Sequence, residues 1–290
     1  MKRREGIMKY LIDILKGVVI GVANAIPGVS GGTMMVSMGI YDDIIYCITH
    51  LFKQFKKSVL MLLPYFIGMA VGIVGLAFAI QYLDKNFPFQ TRMVFIGLIL
   101  GGVPMLFQRV KKQKIGIANG VVFLIFFASI IAMQYFGGNG TDVALTIGVL
   151  SLIKLFVVGV IASATMVIPG VSGSMMLMIM GYYNPIMKAI TDFVKAATSG
   201  DWGNVLHIGA ILVPFGIGVV LGIFAIAKII EWLLNKAEGL TYSAILGLVI
   251  SSPVVILMGT ALSGIGAVTI VTGIIALVLG GIFALKLGGE

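Results

Sequence analysis

Long apolar stretches alternate with short polar or basic connections along this chain. Most approach the ~20 residues that an α-helix needs to cross ~30 Å of hydrocarbon. The first stretch, residues 9–26, carries Asp13 and Lys16 near its start. Residues 33–52 continue with helical character, but Asp42 and Asp43 make them poor for a full span. Residues 9–52 therefore read as a re-entrant hairpin, or as two tilted and partly shielded helices. Clean spans follow at 58–83, 92–108 and 115–136, separated by a polar link (Asp84, Lys85, Asn86) and a basic loop (Arg109, Lys111, Lys112, Lys114). After the turn-rich GGNGTD, residues 143–168 and 175–197 repeat the opening arrangement. Spans at 205–230, 241–258 and 264–286 finish the chain.

Two of the apolar stretches are interrupted in the same way. Residues 27–33 read PGVSGGT and residues 169–174 read PGVSGS. Pro27 and Pro169 lack an N–H and clash with the preceding helical turn. Each pushes its predecessor, Ile26 or Ile168, out of the α region. Gly28, Gly31, Gly32, Gly170 and Gly173 permit tight backbone and close approach. Ser30, Thr33, Ser172 and Ser174 are good N-caps for a restarting helix. Each motif thus predicts a helix, an unwound turn and a new helix N-terminus. Non-helical backbone at membrane depth is tolerated only when buried in protein or lining a wet cavity. Free N–H groups at a helix N-terminus suit an anion, and paired broken helices point to a transporter binding site. The alternative is a plain bend, with the serines satisfying those N–H groups.

The halves match beyond the motifs. Gly39 and Tyr41 align with Gly181 and Tyr183, 142 residues on, like the motifs themselves. Pro64, Gly68, Gly72, Thr91, Gly97 and Leu98 align with Pro214, Gly218, Gly222, Thr241, Gly247 and Leu248, 150 residues on. We expect two repeats, residues 1–142 and 143–290, within one transmembrane domain. Each holds three clean spans and a broken pair, an odd number of passages either way, so the second repeat is expected to be inverted. The expected fold is an all-α polytopic membrane protein with two inverted-topology repeats.

Composition supports this and removes alternatives. The 290 residues are 59% hydrophobic and only 11% charged, with a mean hydropathy of +1.12; no soluble domain looks like this. The net charge of +9 fits cytoplasmic loops and anionic headgroups better than nucleic acid. Of 20 Lys and Arg residues, only Lys85, Arg92, Lys154, Lys188 and Lys195 fall near the outer side when the N-terminus is inside. That predicts both termini in the cytoplasm. The N-terminus reads as a retained first segment, not a cleavable signal. One cysteine, Cys47, rules out an internal disulfide. The two histidines, His50 and His207, stand far from both motifs, which argues against a lipid-phosphate phosphatase. No cofactor or metal is expected.

Other residues merit weight. Lys16 and Arg92 are candidate partners for an anion, although Arg92 could equally anchor its helix. Asn24, one turn before Pro27, could touch a ligand or bond the unpaired backbone of the break. Asp42 and Asp43 are candidate proton or cation sites. Methionines follow both motifs (Met34, Met35, Met38; Met175, Met176, Met178, Met180), usually as packing but also as an adaptable groove. Spacings such as Gly68 with Gly72 suggest close helix contacts.

The stretches GVANAIPGVSGGTMMVSMGIYDDII and ATMVIPGVSGSMMLMIMGYYNPI resemble the two signature motifs of bacterial undecaprenyl phosphate translocases of the PopT type. The resemblance covers essentially the whole chain. It implies return of undecaprenyl phosphate from the outer to the inner leaflet of the bacterial cytoplasmic membrane, for cell-envelope synthesis. One departure is Asp42, where many relatives would be expected to carry Glu; the second repeat has Asn184 there. With the paired breaks, the resemblance points to Asn24, Pro27, Gly28, Ser30, Gly31, Gly32, Thr33, Pro169, Gly170, Ser172, Gly173 and Ser174 as substrate-binding. A transporter of a small anion using the same site is the alternative. Oligomeric state is left open, homo-oligomers included.

A phosphate monoester carries about −1.5 to −2 charges at neutral pH. Moving each charge inward against an inside-negative potential costs ~2.3 kcal/mol per 100 mV. Inward flow then requires a carrier gradient, a proton or a cotransported cation. Transport in liposomes is expected to respond to a pH gradient, a Na⁺ gradient or the potential; indifference to all three would remove coupling through Asp42 and Asp43.

Overall fold

The computed structural model describes residues 2–25, 29–75, 82–83, 85–111, 115–137, 140–260 and 266–288. Among them the chain is helical, with no strand. The first half contains α1 (Lys2–Ala25), α2 (Gly31–Ser37), α3 (Tyr41–Thr49), α4 (Phe55–Ala70, extended by a π-helical turn to Gly75), α5 (Pro88–Lys111) and α6 (Ile117–Phe136). The second contains α7 (Val149–Val167), α8 (Gly173–Ile179), α9 (Tyr183–Ser199), α10 (Trp202–Lys236), α11 (Glu238–Met258) and α12 (Ala267–Gly288). Seven helices, α4 (counted to Ile73), α5, α6, α7, α10, α11 and α12, are long and apolar enough to cross a membrane. Their outward faces carry exposed Leu, Ile, Val and Phe, such as Leu63, Ile125, Leu221 and Leu279. The protein is a multi-pass, all-α membrane protein.

The helices pair through glycine. A Cβ at Gly68 of α4 would fall on the carbonyl oxygen of Ile14 in α1, and one at Gly17 of α1 on that of Tyr65. Gly21 faces Met69, and Gly72 faces Val18, in the same way. Small residues let two backbones approach where lipid offers no hydrophobic driving force between helices. In the second half, Gly218 and Gly222 of α10 meet the backbones of Phe156 and Val160 in α7, and Gly159 meets that of Phe215. These are the same positions, 142 and 150 residues on. Likewise α5 packs on α12 through Gly97, Gly101 and Gly280, and α6 packs on α11 at Gly247.

Contact registers give the helix directions. Residue numbers rise together along α1 and α4, so these helices are parallel. The chain between them must return to the level where it began. The pair α7 and α10 is parallel for the same reason. The chain before α7 is also tied to the last turn of α8 and the residues just after it, where the N–H groups of Gly140 and Val143 donate to the carbonyls of Met178 and Gly181 (both 3.0 Å). Each broken pair is therefore a hairpin that comes back to its own face.

The two hairpins have their bases at opposite ends of α10. Residue Phe52, just after α3, stacks on Phe224, with ring centroids 5.4 Å apart. His50 pairs with Glu231 at 3.4 Å. The region of α9 instead meets the start of α10, around His207 and Ile211. At 1.5 Å per residue, His207 and Glu231 lie roughly 36 Å apart. Met8 near the start and Gly288 near the end of the chain line one cavity. Both ends of the described chain thus lie on one face, with the base of the first hairpin.

Gly68→Ala places a methyl group against the backbone of Ile14 and is expected to cost about 1–3 kcal/mol. Thermal unfolding in detergent reads this as a lower Tm. Gly216→Ala, where a Cβ meets nothing within 4 Å, is expected to leave the Tm unchanged or raised.

Candidate functional site

The two sequence breaks meet. The hydroxyl of Thr33, wholly buried in the first half of α2, accepts the N–H of Gly170 at 2.7 Å. The phenol of Tyr41, at the start of α3, donates to the carbonyl of Val167 at 3.2 Å. Gly32 faces the last turn of α7: a Cβ there would lie 3.1 Å from the carbonyl oxygen of Val167 and 3.3 Å from those of Met166 and Ile168. The N-terminal end of α2, with its positive partial charge, thus abuts the carbonyl end of α7. Pro169 is fully buried. Gly170 has φ 83°, a backbone that any side chain would strain, and its α-carbon lies against the carbonyl of Leu248.

Capping at each tip is local and incomplete. Ser30 N-caps α2 and accepts the N–H of Thr33 at 3.4 Å. Asn24, at the end of α1, accepts the N–H of Gly31 at 3.2 Å. Asn24 therefore bonds backbone in the break, one of its two expected roles. Ser172 N-caps α8 and accepts the N–H of Met175 at 3.5 Å. Its hydroxyl also lies 2.9 Å from that of Ser174. Of the four expected caps only Ser30 and Ser172 act as N-caps; Thr33 is used across the break, and Ser174 bonds Ser172. A helix leaves four N–H groups without intrahelical partners; at α2 two of them, on Gly31 and Thr33, are taken by side chains. Gly173 is buried, with the Met166 side chain nearest its α-carbon. Pro27 and Gly28 lie outside the described residues.

Three cavities bordered by described residues lie away from the tips. One of about 880 Å³ opens on the face that holds both chain ends, between α1, the end of α2, α4, α5 and α12. Lys9, Lys16, Arg109, Asp13 and Asp43 give it charge, and Met8, Met38, Met61 and Met105 give it a soft apolar wall. A second, of about 420 Å³, holds Asp42, Asp43, Arg109, Glu231, Glu238 and Tyr242. The phenol of Tyr242 donates to Asp42. A third, of about 520 Å³, lies at the base of the second hairpin, with Asp142, Lys188, Asp192 and His207. There the amide of Asn184 donates to Asp142 at 3.2 Å.

Lys16 sits in the charged cavity, and Asp42 and Asp43 stand beside it; Arg92 does not join them. Its guanidinium donates to the carbonyl of Gly259 and, at 3.0 Å, to the hydroxyl of Thr260. It ties the start of α5 to the end of α11, roughly 25 Å along α5 from Arg109. Sequence reasoning missed Arg109 and Tyr242. Arg109 reads as loop, yet it closes the last turn of α5 and borders both charged cavities. Among the described residues no group of three or more His, Cys, Asp or Glu could hold a metal ion.

Thr33→Val keeps the shape of the side chain but leaves the Gly170 N–H without an acceptor. It is expected to cost about 1–3 kcal/mol and to speed hydrogen exchange at the Gly170 amide, whereas Thr33→Ser preserves both.

Residues 20–268 match the undecaprenyl phosphate translocase-like (VCA0040-like) family. A protein of Staphylococcus aureus (strain NCTC 8325 / PS 47) named polyprenyl-phosphate transporter is 32% identical over 249 residues, which is 83% of this chain and 84% of that one. A protein of the same name from Vibrio cholerae serotype O1 (strain ATCC 39315 / El Tor Inaba N16961) is 28% identical over 263 residues, 84% of this chain and 77% of that one. No solved structure matches significantly. With paired hairpin tips at its centre and a family match across most of its length, the chain belongs to the undecaprenyl phosphate translocase-like family.

Proposed function

We propose that this protein moves a polyprenyl phosphate, undecaprenyl phosphate in particular, from the outer to the inner leaflet of the bacterial cytoplasmic membrane, returning the carrier to cell-envelope synthesis. Membership of the family and the names of the two relatives support lipid-carrier transport. The observation that carries the mechanism is the contact between the hairpin tips, Thr33 Oγ1 to Gly170 N. Two hairpins rooted on opposite faces meet there, so the tips stand in the path between the faces. Parting them would release the Gly170 N–H and uncover the amide end of α2 now set against Val167 and Ile168. Those donors suit a phosphate monoester. The isoprenoid tail remains in lipid while the head crosses.

In this reading the halves are inverted repeats, 1–142 and 143–290, as the matched glycine registers support. The face with both chain ends is cytoplasmic, in line with Arg109, Lys111, Lys236 and Lys286 at helix ends there. Asp42, held by Tyr242, is the coupling carboxylate. Relatives named as transporters fit a non-enzyme.

The test uses the purified protein in liposomes with a fluorescent short-chain prenyl phosphate in one leaflet. Protein-dependent crossing is expected for the phosphate and not for the corresponding prenyl alcohol. Ser30→Ala/Ser172→Ala, which removes both caps, is expected to slow crossing at least tenfold at equal folded protein. Crossing at the wild-type rate would remove the tips from the path. In cells the same variant is expected to leave more undecaprenyl phosphate exposed at the surface.

A further inference from the structure

We infer that the cavity between α1, α4 and α5 is a docking site for the phosphate head on the face that holds both chain ends, with Lys16 as its fixed cation. It is separate from the hairpin tips, and it rests on the transporter reading above. Lys16 is 7% exposed and lines the cavity. Asp13, one helical turn earlier, is the expected salt-bridge partner at i,i+3 spacing. Instead the phenol of Tyr65 in α4 donates to Asp13 at 2.7 Å, and among the described residues the one ion pair is His50 with Glu231. No hydrogen bond or ion pair holds the ammonium of Lys16 among the described residues. The side chain is buried, but its ammonium is not a sealed-off atom: it faces an opening of about 880 Å³. An anion entering that space supplies the missing partner.

The other groups around the cavity narrow the ligand class. Arg109 from α5 and Lys9 from α1 add two exposed cations at the rim. Asp13 and Asp43 add two carboxylates, the first already bonded to Tyr65. Three cations against two carboxylates leave the lining net positive, which favours an anion such as a phosphate monoester, and the forked guanidinium of Arg109 suits its oxygens. The wall of Met8, Met38, Met61 and Met105 is flexible and apolar, as the first isoprene units of a lipid tail require. Free inorganic phosphate shares the charge but has no use for that wall.

Binding of farnesyl phosphate to the purified protein in nanodiscs tests this, with inorganic phosphate and farnesol as competitors. Wild-type protein is expected to bind farnesyl phosphate and to be displaced by neither competitor at equal concentration. Lys16→Met is expected to bind about tenfold to a hundredfold more weakly, as for a charge-assisted bond lost from a buried site. Its Tm should stay near that of wild type, because no bond to the ammonium is lost; Lys16→Arg should keep most of the binding. Arg109→Gln, at an exposed position, should bind about tenfold more weakly, and Lys53→Gln, outside the cavity, as wild type. Wild-type affinity in Lys16→Met would overturn the docking site while leaving the transporter reading intact. Displacement by equal inorganic phosphate would assign the cavity to the free anion and overturn the lipid assignment. Wild-type protein that neither moves nor binds prenyl phosphate would overturn both readings.

Discussion

Everything in this fold answers to one constraint: an unwound backbone inside a bilayer must find partners for its polar groups without water. The two PGVSG breaks find part of them in each other. Thr33 takes the N–H of Gly170, Tyr41 gives its proton to the carbonyl of Val167, and Asn24 holds Gly31. None of these bonds exists within a straight helix. The first two require the second break to stand beside the first, so each tip takes part of its polar satisfaction from the other. The tip contact is accordingly a structural necessity.

Placing the tips together requires stiff supports on both sides, and glycine supplies them. The parallel pairs α1 with α4 and α7 with α10 bring backbones close enough that a single added methyl group has no room. A parallel pair joined by a short return segment forces that segment back to the starting face. Re-entrance is thus a consequence of glycine register as much as of the prolines. The long α10 then serves as a common post, with α3 near its end and α9 near its start.

The sequence carries the breaks, the apolar spans and the matched spacings, because each depends on local residue type or periodicity. Ser30 and Ser172 are legible as caps from their place before a helix start. Asn24 is legible only as a pair of alternatives, since its partner lies seven residues on across an unwound turn. Thr33 looks like a cap because it sits where caps sit; its acceptor role belongs to the other half of the chain. Arg109 is hidden for a different reason. A helix end and a basic loop look alike in sequence, and only the packing of α5 brings that guanidinium beside Asp42, Asp43 and the wall of α1. Tyr242 pairs with a carboxylate two hundred residues away, with no local sign of it.

The matched backbone does not extend to matched charge. The glycine registers align Gly17 with Gly159 and Gly68 with Gly218, and the same alignment sets Val158 at the position of Lys16 and Leu155 at that of Asp13. Asn184, bonded to Asp142, stands where Asp42 bonds Tyr242. The two hairpins therefore present alike backbones to a ligand and unlike electrostatics. On the docking proposal, Lys16 makes an anion more stable at its own cavity than at the one lined by Lys188, Asp142 and Asp192. On the reading proposed above, this offsets part of the electrical work of bringing a phosphate to the cytoplasmic face. On that same proposal, mirrored scaffolds give the head access to either side, and the unmirrored lysine weights where it rests.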